Sequence, residues 1–346
     1  MIMTRFCGSL LNSTYLYLAI TLTSVVSANA TPTDELLSKL NEQVVRVQVG
    51  LANGGYGVGS GVVVAQDQVV TNCHVVANAV SISVVKNGDS YAVTAIKPDW
   101  HHDVCIVKVE GLNLPVAKIG ASKTLKYEQP VFTIGYPSFL PSPVSTFGFV
   151  KGLYPMDDSV VVRATSTFRL GDSGGGMFDE NGYLVGIMTL KSPGRSAYYY
   201  NMPVEWVQAL LNQPEQAISA KSSLPFWAVE ETQWPYFMRV VQPFQTEDWQ
   251  SLNALATAWT KQEPNNSEAW FYLAAAEYAS KNTLSAENHL EKVVLMNAKH
   301  SQAIYYLGLI ADANGKRIEA LNDVALLNVL DNVAANELKL VMGITN

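Results

Sequence analysis

Gly171-Asp172-Ser173-Gly174-Gly175 sets a serine hydroxyl among glycines. The glycines let the backbone take conformations closed to bulkier residues, so the amides of Gly171 and Ser173 can point at a single oxyanion. A nucleophilic hydroxyl beside a backbone anion site suits attack on a carbonyl. Serine is a poor nucleophile alone and needs a base within hydrogen-bond reach, with a third group orienting that base. Working outward, His74 lies in Thr71-Asn72-Cys73-His74-Val75-Val76, and Asp103 in His102-Asp103-Val104-Cys105-Ile106-Val107-Lys108-Val109. The order is His, Asp, Ser, with steps of 29 (103 − 74) and 70 (173 − 103) residues. Asp99 competes for the orienting role but lacks the apolar strand that would bury a carboxylate against an imidazole. His101 and His102 read as loop residues near the rim of the site.

The surroundings read as β structure. Apolar, β-branched runs at 44–49, 61–65, 80–85, 91–97, 105–109, 131–134, 160–163, 184–190 and 197–201 are divided by Gly, Pro and Asn turns. That spacing predicts an all-β barrel or sandwich. A short helix with Leu36, Leu37 and Leu40 on one face precedes the strands, and 205–212 reads as a closing helix. The pentapeptide also satisfies Gly-x-Ser-x-Gly, the nucleophile elbow of α/β-hydrolases, which requires Asp and then His downstream. The downstream histidines, His289 and His300, fall in a helical tail, and the chain after Ser173 is glycine-rich and then β-patterned.

Four blocks in order, Gly59-Ser60-Gly61-Val62-Val63-Val64, Thr-Asn-x-His-Val, Asp-Val-x-Ile-Val-Lys-Val and Gly-Asp-Ser-Gly-Gly, make residues 37–212 resemble the chymotrypsin-fold (trypsin-like) serine proteases, and within them the bacterial envelope branch of HtrA type. The resemblance implies two six-stranded barrels with a His74, Asp103, Ser173 triad in the cleft between them and an oxyanion hole at Gly171 and Ser173. It also implies protein or peptide substrates and a mechanism that needs no metal or organic cofactor. By the same resemblance Thr167, six residues before Ser173, lies at the floor of the primary pocket, and Thr189, Leu190, Lys191 and Tyr199, with its neighbours Tyr198 and Tyr200, form the walls. A neutral, narrowed pocket favours small or medium uncharged side chains. Two departures stand out: HtrA proteases usually carry Asn where this chain has Asp172, and the segment C-terminal to the protease region does not read as PDZ-like. Trypsins use the equivalent Asp to hold a new Ile-Val amino terminus, and no such activation site is evident. A catalytically inactive scaffold that binds peptides is the competing reading.

At 346 residues and 48% hydrophobic composition the chain can form two packed domains. A net charge of −7 without a basic cluster argues against nucleic acid as partner. Residues 1–30 read as a signal peptide: Arg5, an apolar run over 15–26, and an Ala28-Asn29-Ala30 cleavage site. The run is shorter than the ~20 residues a span needs, so the expectation is an exported chain beginning at Thr31, periplasmic or secreted, with no stable membrane span. Export permits a disulfide. Cys73 and Cys105 flank the triad, so the His74–Asp103 pairing brings their backbones together, and a Cys73–Cys105 bridge is expected; two buried free thiols would fit the same positions.

After a protease domain at 31–212 comes a connector, 213–244, rich in aromatics and prolines (Phe226, Trp227, Trp234, Pro235, Tyr236, Phe237). A free linker would be more polar, so the connector is expected to pack. Residues 245–346 read as helical repeats. Windows 267–300 and 301–334 match at a period of 34, that of the tetratricopeptide repeat (TPR): Trp270 aligns with Ile304, Leu273 with Leu307, Ala274 with Gly308, Ala286 with Ala320, and Leu290 with Val324. Residues 248–263 fit the second helix of a preceding repeat. The resemblance is partial, since the second window lacks the leading Trp and neither ends in Pro; an unrelated helical hairpin array is the alternative. Either way a protein-binding or assembly surface is expected.

Overall fold

Alternate residues of the valine-rich strands face two different cores, and that double burial dictates the architecture. In β1 (Val44–Leu51), Val45, Val47 and Val49 point into a barrel with Val63, Val69, Ile82, Val84 and Val107, while Val44 faces the other way with Val62, Val70 and Ile106. Strands covered on both faces need apolar residues at nearly every position. The structure, a computed structural model, describes residues 32–194, 196–218 and 223–344, so the signal-peptide reading lies outside the described residues.

A helix, α1 (Asp34–Gln43), capped by the Thr33 hydroxyl, leads into the first barrel. That barrel is closed by β1, β2 (Tyr56–Ala65), β3 (Gln68–Thr71), β4 (Ala79–Lys86), β5 (Asp89–Asp99) and β6 (Val104–Val109) in the spatial order β1-β2-β3-β6-β5-β4. A one-turn helix, α2 (Cys73–Val76), comes after β3. The second barrel is closed in the order β10-β11-β12-β9-β8-β7 by β7 (Pro130–Gly135), β8 (Val144–Met156), β9 (Ser159–Ala164), β10 (Gly176–Asp179), β11 (Leu184–Lys191) and β12 (Tyr199–Pro203). Its interior holds Val131, Val150, Val162, Met177 and Val185. Helix α3 (Val204–Leu211) then packs on the barrels through Trp206, Val207 and Leu210. The expected double barrel is therefore present, with three strands beyond the nine expected. β3 and β10 are four residues each, too short to show a period, and β8 carries Gly148, Gly152 and Pro155, residues that read as turns.

Two short helices, α4 (Tyr236–Arg239) and α5 (Val241–Gln245), precede α6 (Trp249–Gln262), α7 (Ser267–Ala279), α8 (Thr283–Met296), α9 (Ser301–Ala313), α10 (Arg317–Leu330) and α11 (Asn332–Val341). Starts of α6, α8 and α10 are 34 residues apart (283 − 249 and 317 − 283), as are those of α7 and α9 (301 − 267). Ala274 and Gly308, Ala286 and Ala320, Leu290 and Val324 occupy matching buried sites.

This helical region shares one apolar core with the second barrel. Phe237 of the connector stacks on Tyr154 of β8 at 4.5 Å. Lys151 of β8 bridges Glu128 at 2.8 Å and Asp331 at 2.7 Å. Beneath them Glu268 of α7, fully buried, lies 3.6 Å from Arg163 of β9 and accepts hydrogen bonds from Tyr127 at 2.8 Å and Tyr154 at 3.3 Å, with His300 at 3.0 Å. Burial alone would raise the Glu268 pKa, but Arg163, His300 and Tyr127 outweigh it and hold the carboxyl at about 2. Removing one partner of such a pair strands the other charge in the interior. Glu268→Ala should therefore lower stability by about 3 to 5 kcal/mol in urea denaturation, whereas a loss below about 1 kcal/mol would mean the ion pair does not hold the helices to the barrel.

Candidate active site

The turn between β5 and β6 ends at Asp103, whose backbone is left-handed (φ 59°), a conformation that Asp tolerates better than most side chains. It puts a fully buried carboxylate against α2. Oδ1 accepts the His74 backbone N–H at 2.7 Å, and Oδ2 lies 2.6 Å from His74 Nδ1. With Nδ1–H donating to the carboxylate, Nε2 is the unprotonated nitrogen. The Asp103 carbonyl accepts from Asn72 Nδ2 at 2.9 Å and the Cys73 amide at 3.3 Å. A Cys73–Cys105 disulfide ties α2 to β6 at the same place.

A third donor comes from outside both barrels. The indole Nε1 of Trp227, in the connector, donates to Asp103 Oδ2 at 3.2 Å, and its ring meets the His74 imidazole edge-on at 5.6 Å. The preceding Phe226 is buried in the shared core and its amide donates to the His101 carbonyl at 3.0 Å. Sequence reasoning expected this segment to pack but did not place Trp227 on the triad candidates.

Strand β2 joins the serine loop to the histidine. The Ser173 carbonyl accepts the Ser60 amide at 2.7 Å. A Cβ on Gly59 would lie 2.5 Å from Val75 and 3.2 Å from that carbonyl, so only glycine lets the two segments approach. The Ser60 hydroxyl donates to the Gly171 carbonyl at 2.8 Å and accepts the Tyr136 amide at 2.7 Å, fixing Gly171 in a left-handed conformation (φ 97°). Among the described residues the amides of Gly171 and Ser173 meet no protein acceptor, so both N–H groups remain available. Nor, among these residues, does a hydrogen bond join Ser173 Oγ to His74 Nε2; such contacts commonly tighten only when substrate is bound.

Asp172, between these two amides in sequence, is buried. Its Oδ2 accepts the Arg169 amide at 2.7 Å while Oδ1 has no partner. Burial pushes the carboxyl up to about 6, against the opposing pull of Arg169.

Other expected residues divide. Asp99 pairs with His102, Nδ1 to Oδ2 at 2.6 Å, and makes no contact with His74 among the described hydrogen bonds. Thr167, Lys191 and Tyr199 are brought to one side of the second barrel: Tyr199 packs edge-on against Phe168, next to Thr167, at 5.0 Å, with Lys191 Nζ 5.9 Å from its ring centre. Thr189 instead lies buried beneath Asp103, accepting Asn72 Nδ2 at 2.9 Å. Leu190 is half-buried against the shared core. Tyr198 lies beside Arg163, and Tyr200 is buried against Phe237 and Tyr154, both on the side of the helical region.

Residues 59–187 match the family model of the trypsin-like peptidase domain. The chain is 34% identical over 166 residues to the "Probable periplasmic serine endoprotease DegP-like" of Pseudomonas putida (strain GB-1), a match covering 45% of this chain and 34% of that protein. It is 36% identical over 145 residues to the "Serine protease HTRA1A" of Danio rerio, covering 38% of this chain and 30% of that one. The chain thus spans about a third of the length of these curated relatives. Among solved structures, the HtrA-type protease AlgW with tripeptide aligns at a TM-score of 0.46 and 23% identity, over 54% of this chain and 63% of that one. Among the described residues no helix is long and apolar enough to cross a membrane. Residues 59–187 thus match the trypsin-like peptidase domain, and over that part of its length the chain is similar to HtrA/DegP-like serine proteases.

Proposed function

We propose that this protein is an exported serine endopeptidase in which His74, Asp103 and Ser173 form the catalytic triad. The observation that carries the reading is the double hydrogen bond from His74 to the buried Asp103 carboxylate, beside a serine loop with two free amides. Ser173 Oγ attacks a peptide carbonyl carbon while its proton passes to His74 Nε2. Asp103 holds the tautomer and steadies the imidazolium, and the amides of Gly171 and Ser173 receive the oxyanion, each worth about 3 kcal/mol. The imidazolium then protonates the leaving amine, and water, activated by the same nitrogen, releases the acid and restores Ser173. Thr167, Lys191 and Tyr199 form part of the substrate pocket. The periplasmic description of the Pseudomonas relative and the signal-like 1–30 segment support export. The 34-residue helical period supports a TPR-like module for partner binding or assembly.

A fluorophosphonate probe should label Ser173, and Ser173→Ala should abolish both labelling and casein cleavage. An unlabelled but folded chain would favour a peptide-binding scaffold. Asp103→Asn should cost on the order of ten-thousandfold in turnover and Asp99→Asn little; the reverse would move the orienting role to Asp99.

Trp227→Phe keeps the ring beside His74 but removes the N–H on Asp103. Losing one such bond, about 1 kcal/mol, should reduce kcat about fivefold with KM little changed. An unchanged kcat would make Trp227 a packing residue only.

Asp172 ionises near 3.8 when unfolded and at about 6 in the fold. A raised folded pKa contributes stability that is complete below the unfolded value and lost as pH rises through about 6. Asp172→Asn removes that dependence, so the variant should gain about 2 to 3 kcal/mol on wild type between about pH 4 and pH 7.5. A difference in Tm that stays constant over this range would show that Asp172 does not titrate there.

A further inference from the structure

Outside the triad, one cluster joins the two barrels. His101 and His102 lie in the turn between β5 and β6 of the first barrel, and Asp157 at the tip of the β8–β9 hairpin of the second. His102 Nε2 is 3.0 Å from Asp157 Oδ2, and His101 Nε2 is 3.6 Å from the same oxygen. The three ligand atoms lie within 4.8 Å of one another. A tetrahedral zinc ion with bonds of about 2.0 to 2.1 Å has ligand edges of roughly 3.3 to 3.4 Å. Two edges here already bracket that length, and rotation of the exposed His101 imidazole closes the third.

The ring that matters most is already set. Asp99 accepts from His102 at both the backbone N–H, 3.1 Å, and Nδ1, 2.6 Å, which turns Nε2 toward Asp157. A carboxylate behind the imidazole is the arrangement that orients metal-binding histidines. Trp206 of α3 stacks on the His102 ring at 3.8 Å, and its Nε1 donates to the Asp157 carbonyl at 3.3 Å, so one buried indole holds both partners.

We propose that His101, His102 and Asp157 bind a zinc ion, with Asp99 and Trp206 as positioning residues and a fourth position open to water. Bound there, zinc would staple the second barrel to the turn that ends one residue later at Asp103. The site itself does not depend on the protease reading.

Titration calorimetry of the full chain with zinc chloride tests it. One saturable site is expected, weakened at least tenfold by His101→Ala or Asp157→Asn, and about ten- to hundredfold by Asp99→Asn. His101 is exposed, so its substitution does not threaten folding. Zinc should raise the Tm of the wild type and leave that of Asp157→Asn unmoved. His289→Ala, at the separate His289–Glu277 pair, should bind like wild type. No saturable binding, or binding that survives both His101→Ala and Asp157→Asn, as it would at His74, overturns the proposal.

Discussion

Burying the Asp103 carboxylate is the constraint that organises this molecule. A carboxylate removed from water is tolerated only when its oxygens are met by donors, and here those donors come from different parts of the chain. α2 supplies the His74 amide and imidazole, and the connector supplies the Trp227 indole. The carbonyl of the same residue is held by Asn72, which is braced in turn by Thr189 of the second barrel. Satisfying one buried charge therefore fixes the histidine ring, aligns the two barrels and draws the connector across the first.

That arrangement makes the helical region part of the site's support. The connector reaches Trp227 while Phe237 stacks on Tyr154 and the helices close over Glu268 and Arg163. An internal ion pair with this many hydrogen bonds contributes more to the uniqueness of a docked geometry than to net stability, because desolvation offsets much of the attraction. Glu268 can form its bonds to Arg163, Tyr127 and His300 in only one placement of α7 on β9.

How much of this was legible in the sequence depended on whether a signal was local. The triad candidates and the residues expected to hold an oxyanion, Gly171 and Ser173, stand inside short blocks with a strong composition, and the structure brings His74 against Asp103. The Cys73–Cys105 bridge is a consequence of that pairing. Strand β8 was missed because its glycines and proline serve a long, bent strand with a bulge between Val150 and Gly152, where composition alone reads turns. The resemblance sets Thr189 in the pocket wall, and no sequence signal marks the bond its hydroxyl accepts from Asn72, 117 residues away.

Trp227 shows where such reading runs out. Its neighbours announced an apolar, packed connector, but an indole N–H carries no sequence mark of the acceptor it will find 124 residues away. Long-range hydrogen bonds of this kind depend on the register in which a connector is laid down, and Phe226 sets that register. Once its ring is buried and its amide is bound to the His101 carbonyl, the next residue must lie over the turn that carries Asp103, where an indole can both donate to the carboxylate and cover the edge of the imidazole.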